Sequence, residues 1–480
     1  MTIDEGNHSN NFHPEEAKTN GKPRGERRRL PLLVMSACPL AGHTLPALHV
    51  ARELVKKGFE VIFMTSTEFR DNVQAIGAEW SETAPCWPDA AVAAAQREKI
   101  PVGPARLVFD VETVFLKLIP TRTADLRSLL ERVRERDPAR EVVVVTETLA
   151  LAVFAFQYGA PLPRGYDAFP KSIGLNVVPL LVSSVDVAPF GSGLPPDATE
   201  AGRARNRAMA EELREGPFKR LVALHKQILT DMGCTRTPER ALFDGWLESF
   251  DTMFQMCSPS MEYPRSDLHP SIRYAGALPK MGINSNLKYP SWWSEIWANA
   301  ALPAGSPEKK YVIPVAQGTL AVDYQEVIMP TIKALAGRDD VIVIAMLGVK
   351  GASLPADFEI PANTRVVDYF PYDAALEHAD LFVSNGGYGS MTHGVINGVP
   401  MVVAGITEDK VEVTARAEYA GLAVNLKTQT PSSEQIAAAV DKVLGNPDYK
   451  AAAVRLMKEN RDMDCHTVIE REILLYSKGN

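Results

Sequence analysis

The segment that most constrains the fold is a glycine-rich turn between two apolar runs in the C-terminal half. A β-branched run ends at Ser384, a turn with Gly386, Gly387 and Gly389 follows, and a second apolar run begins after Gly398. A strand, a tight turn into a helix and a second strand form the βαβ unit of a parallel sheet. Glycine lets backbone N–H groups approach a ligand closely, and the amides that open a helix favour an anion. The segment therefore predicts an α/β domain that binds a diphosphate, as in a nucleotide or a nucleotide sugar.

The alternation of strand and helix patterns continues through the rest of this half. One helix opens with a capping box at Ser432 and Gln435. Strands are predicted at residues 311–315, 341–346, 364–367, 381–384, 400–404 and 422–426. The pattern predicts a doubly wound α/β domain over residues 308–459, followed by a mixed-charge helix over residues 460–480.

The N-terminal half shows a second pattern of the same kind. Residues 1–29 are polar and predict a disordered tail. An apolar strand from Leu32, a helix that ends at Gly58 and a following strand then form a βαβ unit. We therefore predict a domain over residues 30–277, joined to the C-terminal domain by a linker over residues 278–307. Two doubly wound domains place a ligand crevice at the carboxyl ends of their strands.

Local patterns inside these units predict further elements. A buried strand over residues 141–145 leads into a helix over residues 149–156. Residues 186–197 are rich in Pro and Gly and predict a long loop, and residues 204–232 predict long helical stretches. The linker is expected to carry one short helix.

Length, charge and cysteine usage exclude several classes of protein. A chain of 480 residues is too long for one hydrophobic core, and its net charge of −8 argues against a nucleic-acid partner. The five cysteines are scattered and include no CxxC pair, which favours a reduced compartment. The longest apolar run, residues 149–156, is far shorter than the ~20 residues that span a bilayer. No apolar segment follows the N-terminus, so we expect no signal peptide, no integral membrane segment and a cytoplasmic monomer.

A histidine and a glutamate in the N-terminal half are candidates for acid–base chemistry. His43 lies between the first strand and the first helix, where its side chain is expected to point into the crevice. A histidine with a pKa near 6.5 can accept a proton from a hydroxyl. Glu147 follows the strand at residues 142–145, so both side chains emerge at one edge of one sheet, and the carboxylate can hold the imidazole. Two plainer interpretations stay open, a loop histidine with a capping role and a glutamate that favours a helix N-terminus.

Taken together, these motifs resemble the family 1 UDP-glycosyltransferases, and most of all the branch shared by fungal enzymes and bacterial macrolide-type glycosyltransferases. The resemblance covers about Leu30 to the C-terminus and is more specific in the C-terminal half. The motifs that carry it, in order, are the Gly-His-x-x-Pro setting of His43, Gln317–Thr319, Asp368–Pro371, Gly386–Ser390, Gly398–Met401 and Glu408–Lys410. The resemblance implies a GT-B fold, in which two Rossmann-like domains face each other across a cleft. It also implies an inverting transfer of a sugar from a nucleotide donor to a hydroxyl of a small lipophilic acceptor.

Residue roles follow from this resemblance. His43 would be the general base and Glu147 its carboxylate partner, where the family more often has Asp. Tyr369 would stack on the nucleotide base, Asp409 would bind sugar hydroxyls, and the last helix would cross back to the N-terminal domain. The donor-binding residues that the resemblance implies are Gly318, Thr319, Tyr369, Phe370, Asn385, Gly387, Gly389, Ser390, His393, Asp409 and Lys410.

Three of these positions depart from the family pattern. Asn385 stands where the wider family has a phosphate-binding His, and its amide can still donate to a phosphate. His393 stands where many members have the Glu that binds the ribose, which leaves UDP and dTDP both open. Lys410 replaces the usual Gln of the sugar-binding pair, which leaves the sugar open. A cation near the diphosphate would offset the lost His, and this is our hypothesis for Lys410.

The expected co-substrate is a UDP-sugar, with UDP-glucose favoured, and we expect neither a prosthetic group nor a required metal. The amides of the glycine turn can take up the charge of the leaving diphosphate. The sequence shows no His/Cys/Asp cluster with metal-ligand spacing. Because no covalent intermediate is needed, one displacement on an α-linked donor gives a β-O-glycoside.

The acceptor is expected to be a phenolic or polyketide natural product, and sterols and other lipids are less favoured candidates. Trp87, Phe109 and Phe115 are candidates to line its pocket, since such pockets are mostly apolar. Ordinary core packing is the plainer role for these aromatic residues. Two alternative functions remain: a non-catalytic GT-B scaffold or binding partner, and another GT-B enzyme such as a sugar-nucleotide epimerase. The presence of both His43 and Glu147 argues against the scaffold.

Overall fold

Two parallel β-sheets, each covered by helices on both faces, form the computed structural model of the chain. The structure describes residues 29–87, 89–101, 103–239, 241–281, 287–318 and 321–477. The predicted tail over residues 1–29 therefore lies, except for Arg29, outside the described residues.

The first sheet is built from the N-terminal half. Its strands are β1 (Leu32–Ser36), β2 (Val61–Thr65), β3 (Glu79–Glu82), β4 (Val142–Glu147), β5 (Ser172–Asn176), β6 (Thr252–Gln255) and β7 (Ile272–Tyr274). All neighbours are parallel, in the order β3-β2-β1-β4-β5-β6-β7. The helices of this half are α1 (Ala41–Lys56), α2 (Arg70–Ala75), α3 (Ala90–Glu98), α4 (Pro104–Asp110), α5 (Ile119–Arg136), α6 (Phe154–Gln157), α7 (Glu200–Glu215), α8 (Lys219–Asp231) and α9 (Leu242–Leu247).

The second sheet is built from the C-terminal half. Its strands are β8 (Tyr311–Ala316), β9 (Val341–Met346), β10 (Thr364–Val367), β11 (Phe382–Ser384), β12 (Met401–Val403) and β13 (Ala423–Asn425). They are parallel, in the order β10-β9-β8-β11-β12-β13. The remaining helices are α10 (Trp293–Ala301), α11 (Ile328–Leu335), α12 (Tyr372–Leu376), α13 (Tyr388–Asn397), α14 (Lys410–Tyr419), α15 (Ser433–Gly445), α16 (Pro447–Met463) and α17 (Cys465–Tyr476).

The strand orders explain where a ligand can bind. In both sheets the order reverses once, between β1 and β4 in the first sheet and between β8 and β11 in the second. The loops on either side of such a reversal leave in opposite directions and open a crevice at the carboxyl ends of the strands. This doubly wound α/β architecture is the predicted fold class, which is confirmed.

Alternating side chains bury both faces of each sheet. In β1, Leu32 and Val34 pack towards α5, whereas Leu33 and Met35 pack towards α1. Strand β9 does the same in the second sheet, so its continuous apolar run serves two cores. Continuous apolar strands of this kind are typical of parallel sheets with helices on both faces.

The C-terminal segment differs from its prediction. The helix predicted over residues 460–480 is not continuous from residue 460, because α16 and α17 meet at Asp464, which has a left-handed φ of 50°. Residues 478–480 of that prediction lie outside the described residues. The Asp464 carboxylate accepts the N–H of Thr467 at 3.3 Å and so caps α17. Beyond this break, Ile469 and Ile473 of α17 join the apolar cluster that contains α1, on the first sheet.

The predicted helix over residues 149–156 is wrong. A 3-10 turn covers Thr148–Ala150, Leu151 then adopts a left-handed φ of 56°, and only the short helix α6 follows. The predicted long loop is confirmed, since residues 186–197 contain neither helix nor strand. The capping box at Ser432 and Gln435 is confirmed as well.

We predict that Asn460→Ala destabilises the protein. The side chain of Asn460 is buried in α16, and its oxygen accepts the N–H groups of Ser258 and Ala277, both at 2.8 Å. Two buried N–H groups would lose their acceptor, at a cost of roughly 2–4 kcal/mol in the free energy of unfolding. Urea unfolding followed by circular dichroism measures this loss. The exposed Lys458→Ala on the same helix is the control, and equal midpoints for the two variants would contradict the prediction.

Candidate active site

The centre of the site in the first sheet is an imidazole–carboxylate pair. Strands β1 and β4 are neighbours, and they end at the reversal of strand order. His43 lies in the first turn of α1, directly after β1, and Glu147 is the last residue of β4. Nδ1 of His43 lies 3.1 Å from Oε1 of Glu147. The structure therefore brings together the two residues for which catalytic roles are predicted.

Glu147 is fixed by backbone groups as well as by the ring. Its side chain is fully buried, Oε2 accepts the N–H of Cys38 at 3.1 Å, and Oε1 accepts the N–H of Leu149 at 2.9 Å. The carboxylate thus caps the 3-10 turn and holds His43 at the same time. The two interpretations of Glu147, as a cap and as a partner for the histidine, are compatible with each other.

The environment of His43 favours its protonated form. Burial acts to lower the pKa of His43, but the charge of Glu147 and the hydrogen bond to it outweigh burial and raise the pKa to about 9, with smaller contributions from Cys38 and Asp409. The imidazole must therefore lose a proton before it can act as a base at neutral pH. The contribution of Asp409 also shows that a carboxylate of the second sheet's half lies within electrostatic reach of this ring.

The second half of the site is the glycine turn after β11. Gly386 has a φ of 75°, and a Cβ atom there would lie 2.2 Å from Cγ2 of Thr414, so only glycine fits. Gly387 is the N-cap of α13, and Gly389 and Ser390 lie in the first turn of that helix. The first N–H groups of a helix have no partner within it, and together they favour an anion. The local geometry is that of an anion site.

A tyrosine that the sequence analysis missed joins this turn to the loop after β8. The hydroxyl of Tyr372 lies 3.5 Å from Oγ of Ser390. Burial raises the pKa of Tyr372, whereas Ser390 and the backbone of Gly318 act to lower it, which places Gly318 near the same hydroxyl. Tyr372 directly follows the Asp368–Pro371 motif, and this adjacency is the sequence feature from which a role in the site could have been predicted. Thr319, a predicted donor residue, lies outside the described residues.

Each of the three positions that depart from the family pattern has a partner within the protein. The buried Asn385 donates from Nδ2 to the carbonyl of Gln317 at 2.7 Å, which ties the loops after β8 and β11 together. Nδ1 of His393 lies 2.8 Å from Oδ1 of Asp373, and the ring stays one-third exposed. The ammonium of Lys410 forms an ion pair with Glu408 and donates to Oγ1 of Thr407 at 3.0 Å.

Glu408 also links the two halves of the molecule. Nη2 of Arg97, in α3, donates to Glu408 at 2.7 Å. Burial acts to raise the pKa of Glu408, but Lys410 and the other donors outweigh it and lower the pKa to about 2. The neighbouring Asp409 has a raised pKa, mainly through burial. Arg97 gave no signal in the sequence analysis, because its partner lies 311 positions away.

The two aromatic residues predicted to contact the nucleotide base have different environments. Tyr369 is 47% exposed, and Nζ of Lys350 lies 5.7 Å from its ring centre. Phe370 is buried, with its ring centre 4.7 Å from that of Trp293. Only Tyr369 therefore offers a free ring face, whereas Phe370 can offer its backbone.

Two of the predicted acceptor residues, Phe109 and Phe115, lie in helical segments of the first half, and Trp87 lies in the loop after β3. Trp87, Phe109 and Phe115 are all partly buried. Trp87 and Phe115 pack against an apolar cluster of that half, and the ring centre of Phe115 lies 6.0 Å from that of Trp246. Phe109 is not among the residues that pack against this cluster.

Neither a metal-binding cluster nor a membrane-spanning helix occurs in the described part of the chain. There, no group of three or more His, Cys, Asp and Glu side chains is placed to hold a metal ion. Among the same residues, every helix is too short or too polar to cross a membrane.

Several known proteins are similar to this chain. The family model of the erythromycin biosynthesis protein CIII-like C-terminal domain matches residues 330–474. UDP-glucosyltransferase 1 of Beauveria bassiana (strain ARSEF 2860) is 38% identical over 448 residues, which cover 93% of this chain and 95% of that protein. UDP-glucosyltransferase A1 of Starmerella bombicola is 34% identical over 449 residues and 92% of each chain. The crystal structure of the glycotransferase of kitacinnamycin aligns with a TM-score of 0.64 at 20% identity, over 92% of this chain and 99% of that chain.

The chain therefore belongs to the family 1 UDP-glycosyltransferases, in their macrolide-type branch. The structural alignment also confirms the GT-B fold. The prediction of a UDP-dependent glycosyltransferase is confirmed at this level.

We predict that the pKa of His43 controls the pH dependence of catalysis. Because Glu147 raises this pKa to about 9, the neutral imidazole becomes scarcer by about tenfold for each pH unit below that value. The kcat/KM of the wild type should therefore rise with pH and level off near pH 9. Glu147→Gln removes the charge that raises the pKa, so the rising limb should move to lower pH.

The two pH profiles are measured with one acceptor and one donor, so that substrate ionisation is common to both. Rising limbs that coincide in the wild type and in Glu147→Gln would show that His43 does not control them. Glu68→Gln, an exposed glutamate in a 3-10 turn of the same half, is the control and should leave the limb in place.

For Lys410, the structure predicts a small effect on nucleotide binding. Because Glu408 already pairs with its ammonium, Lys410→Gln should change the Kd of UDP by less than about threefold. A direct charged hydrogen bond to a phosphate would instead be worth about tenfold or more. Calorimetric titration with UDP separates the two cases, and the exposed Lys427→Gln is the control. A tenfold loss would restore our hypothesis that Lys410 offsets the missing histidine.

Proposed function

We propose that this enzyme transfers glucose from UDP-glucose to a hydroxyl of a phenolic or polyketide natural product, with inversion, to give a β-O-glycoside. The observation that carries the proposal is the pair formed by His43 and the buried Glu147, at the strand reversal of one sheet. The glycine turn lies at the corresponding reversal of the other sheet. Relatives named UDP-glucosyltransferase support UDP-glucose as the donor.

In the proposed reaction His43 acts as the general base. Its Nδ1–H donates to Glu147, which leaves Nε2 to accept the proton of the acceptor hydroxyl. The acceptor oxygen attacks the anomeric carbon as the bond from that carbon to the diphosphate oxygen breaks. Since a single displacement occurs, an α-linked donor gives a β-linked product.

The leaving UDP would be stabilised by fixed dipoles at the start of α13. The amides after Gly387 and the hydroxyls of Ser390 and Tyr372 supply donors around one position. Donors fixed before the reaction stabilise developing charge without reorganisation, and each can be worth several kcal/mol. The proposed transfer therefore needs no metal ion.

Donor recognition is assigned to the remaining residues of the second half. The exposed ring of Tyr369 offers a stacking face for the base, and the backbone of Phe370 offers polar groups at the base edge. The carboxylate of Asp409 is partly buried and interacts electrostatically with His43, which suits a contact to the sugar hydroxyls. Nε2 of His393, whose other nitrogen faces Asp373, would contact the ribose in place of the usual Glu.

The acceptor would bind on the side of the first sheet, near Trp87 and Phe115. Both rings lie at the border of an apolar cluster, which suits a flat aromatic aglycone. A dTDP-sugar is the alternative donor, because His393 replaces a ribose-binding Glu. A sterol or other lipid is the alternative acceptor. Membership of an enzyme family disfavours the non-catalytic scaffold.

Mass spectrometry of reaction mixtures tests the proposal directly. Purified protein is incubated with a mixed panel of phenols, polyketides and sterols, with UDP-glucose or dTDP-glucose as the donor. We expect hexosylated phenols with UDP-glucose, and NMR of the product should show a β linkage. Products only with dTDP-glucose, or only with sterols, would assign one of the alternatives, and an α linkage would refute the single displacement.

We predict that His43→Ala abolishes transfer while nucleotide binding persists. A missing general base lowers kcat by about 10²–10⁴-fold, whereas the diphosphate contacts belong to the other sheet. Turnover with a good acceptor measures the first effect, and calorimetric titration with UDP measures the second. His378→Ala, in the second half and outside the proposed site, is the control. Unchanged turnover in His43→Ala would reassign the base.

A further inference from the structure

Two cysteines lie in contact with each other next to Glu147, and one of them, Cys38, donates its N–H to that carboxylate. Cys38 is in the loop between β1 and α1, and Cys86 is in the loop after β3. Their sulfur atoms are 3.4 Å apart, both side chains are buried, and both thiols are free. Loops from two different strands thus bring two thiols together, although 48 positions separate them in the sequence.

A buried arginine contacts both sulfur atoms. Arg122, in α5, is 1% exposed, and its Nη2 lies 3.8 Å from the sulfur of Cys38 and 3.4 Å from that of Cys86. Its Nη1 donates to the carbonyls of Leu149 and Ala150, both at 3.2 Å. Within the described parts of the chain, no carboxylate forms an ion pair with this guanidinium. A buried guanidinium keeps its charge, so it favours a thiolate beside it.

The two thiols differ in their tendency to ionise. The pKa of Cys86 is lowered. The hydrogen bond from Cys38 makes the largest contribution, and Arg122 lowers the pKa further, whereas burial acts to raise it. Burial instead raises the pKa of Cys38. Because the thiolate is the reactive form and Nη2 of Arg122 lies closer to the sulfur of Cys86 than to that of Cys38, Cys86 is suited to attack first and Cys38 to follow.

We propose that Cys38 and Cys86 form a redox site that reacts with hydroperoxides and reversibly closes to a disulfide. The Cys86 thiolate attacks one peroxide oxygen, the O–O bond breaks, and the alcohol or water that leaves takes up a proton. The resulting sulfenic acid is attacked by the Cys38 sulfur, so that an S–S bond forms, the S–O bond breaks and water leaves. The two thiols are oxidised together and the peroxide is reduced.

The disulfide would act on catalysis through the backbone of Cys38, and this step depends on the proposed function. An S–S bond of about 2.05 Å requires the sulfurs to approach by about 1.3 Å. The N–H of Cys38 holds Glu147, and its carbonyl accepts the hydroxyl of Thr44 at 2.9 Å and the N–H of Leu40 at 2.7 Å. The carbonyl of Leu40 in turn accepts the N–H of His43 at 3.0 Å. A shift of Cys38 therefore reaches both members of the catalytic pair.

Peptide mapping after peroxide treatment tests the pairing. Reduced protein is exposed to hydrogen peroxide, alkylated and digested, and kcat is measured before treatment, after treatment and after addition of dithiothreitol. We expect a peptide cross-linked between Cys38 and Cys86, loss of two of the five titratable thiols, and a fall of about tenfold or more in kcat that dithiothreitol reverses. Misplacement of catalytic groups by about 1 Å can produce losses of this size.

Cysteine variants provide the controls. Cys86→Ser and Cys86→Ala should form no cross-link and keep their kcat in peroxide, whereas Cys234→Ser should behave like the wild type. Absence of the cross-link would overturn the redox site, and a cross-linked enzyme with unchanged kcat would overturn its control of catalysis. A reduced protein without transfer activity would instead overturn the proposed function and with it that control, while the peptide map would still decide the pairing.

Discussion

A buried guanidinium holds the two halves of the molecule together, and the candidate site between them depends on this contact. Arg416 of α14 is 2% exposed, with its Nε 2.9 Å from Glu262 and its Nη1 2.7 Å from Glu412. The other carboxylate oxygen of Glu412 accepts the N–H groups of Gly191 and Gly193, in the long loop of the first half. Removing one partner of such a buried network costs about 3–5 kcal/mol. The network thus fixes how α14 lies against the first half.

The orientation of α14 matters because Asp409 is its N-cap. Neither sheet forms the site by itself, since one supplies His43 with Glu147 and the other supplies the glycine turn. Asp409 contributes to the raised pKa of His43, so these two side chains from different halves lie within electrostatic range of each other. Further contacts between the halves surround this point. They include the bond from Arg97 to Glu408 and the bond from Gln255 to the Tyr388 hydroxyl at 3.0 Å.

The sequence predicted the second sheet better than the first, and the reason is physical. The strand predicted at residues 341–346 agrees with β9, because a strand buried on both faces is a continuous apolar run. The strand predicted at residues 364–367 agrees with β10, although β10 is only partly buried. Strand β5 was not predicted, since it carries polar residues at both ends and Gly174 at its centre, where Phe250 leaves no room for a Cβ. The contact between His43 and Glu147 was predictable from the adjacency of strand ends. Contacts such as that of Cys38 with Cys86 were not, because they depend on how distant loops fold together.

The departures from the family pattern share one physical feature. Asn385, His393 and Lys410 each bond to a neighbouring group of the protein, namely the Gln317 carbonyl, Asp373 and Glu408. For Lys410 and His393 the partner is a carboxylate, so neither side chain adds a free charge to the donor pocket. In the proposed site, the charge of a bound diphosphate would then be stabilised by neutral donors, the amides at the start of α13 and nearby hydroxyls. The proposed site would then depend on Gly386 more than on any cation, because a side chain at Gly386 would displace the turn that positions these donors.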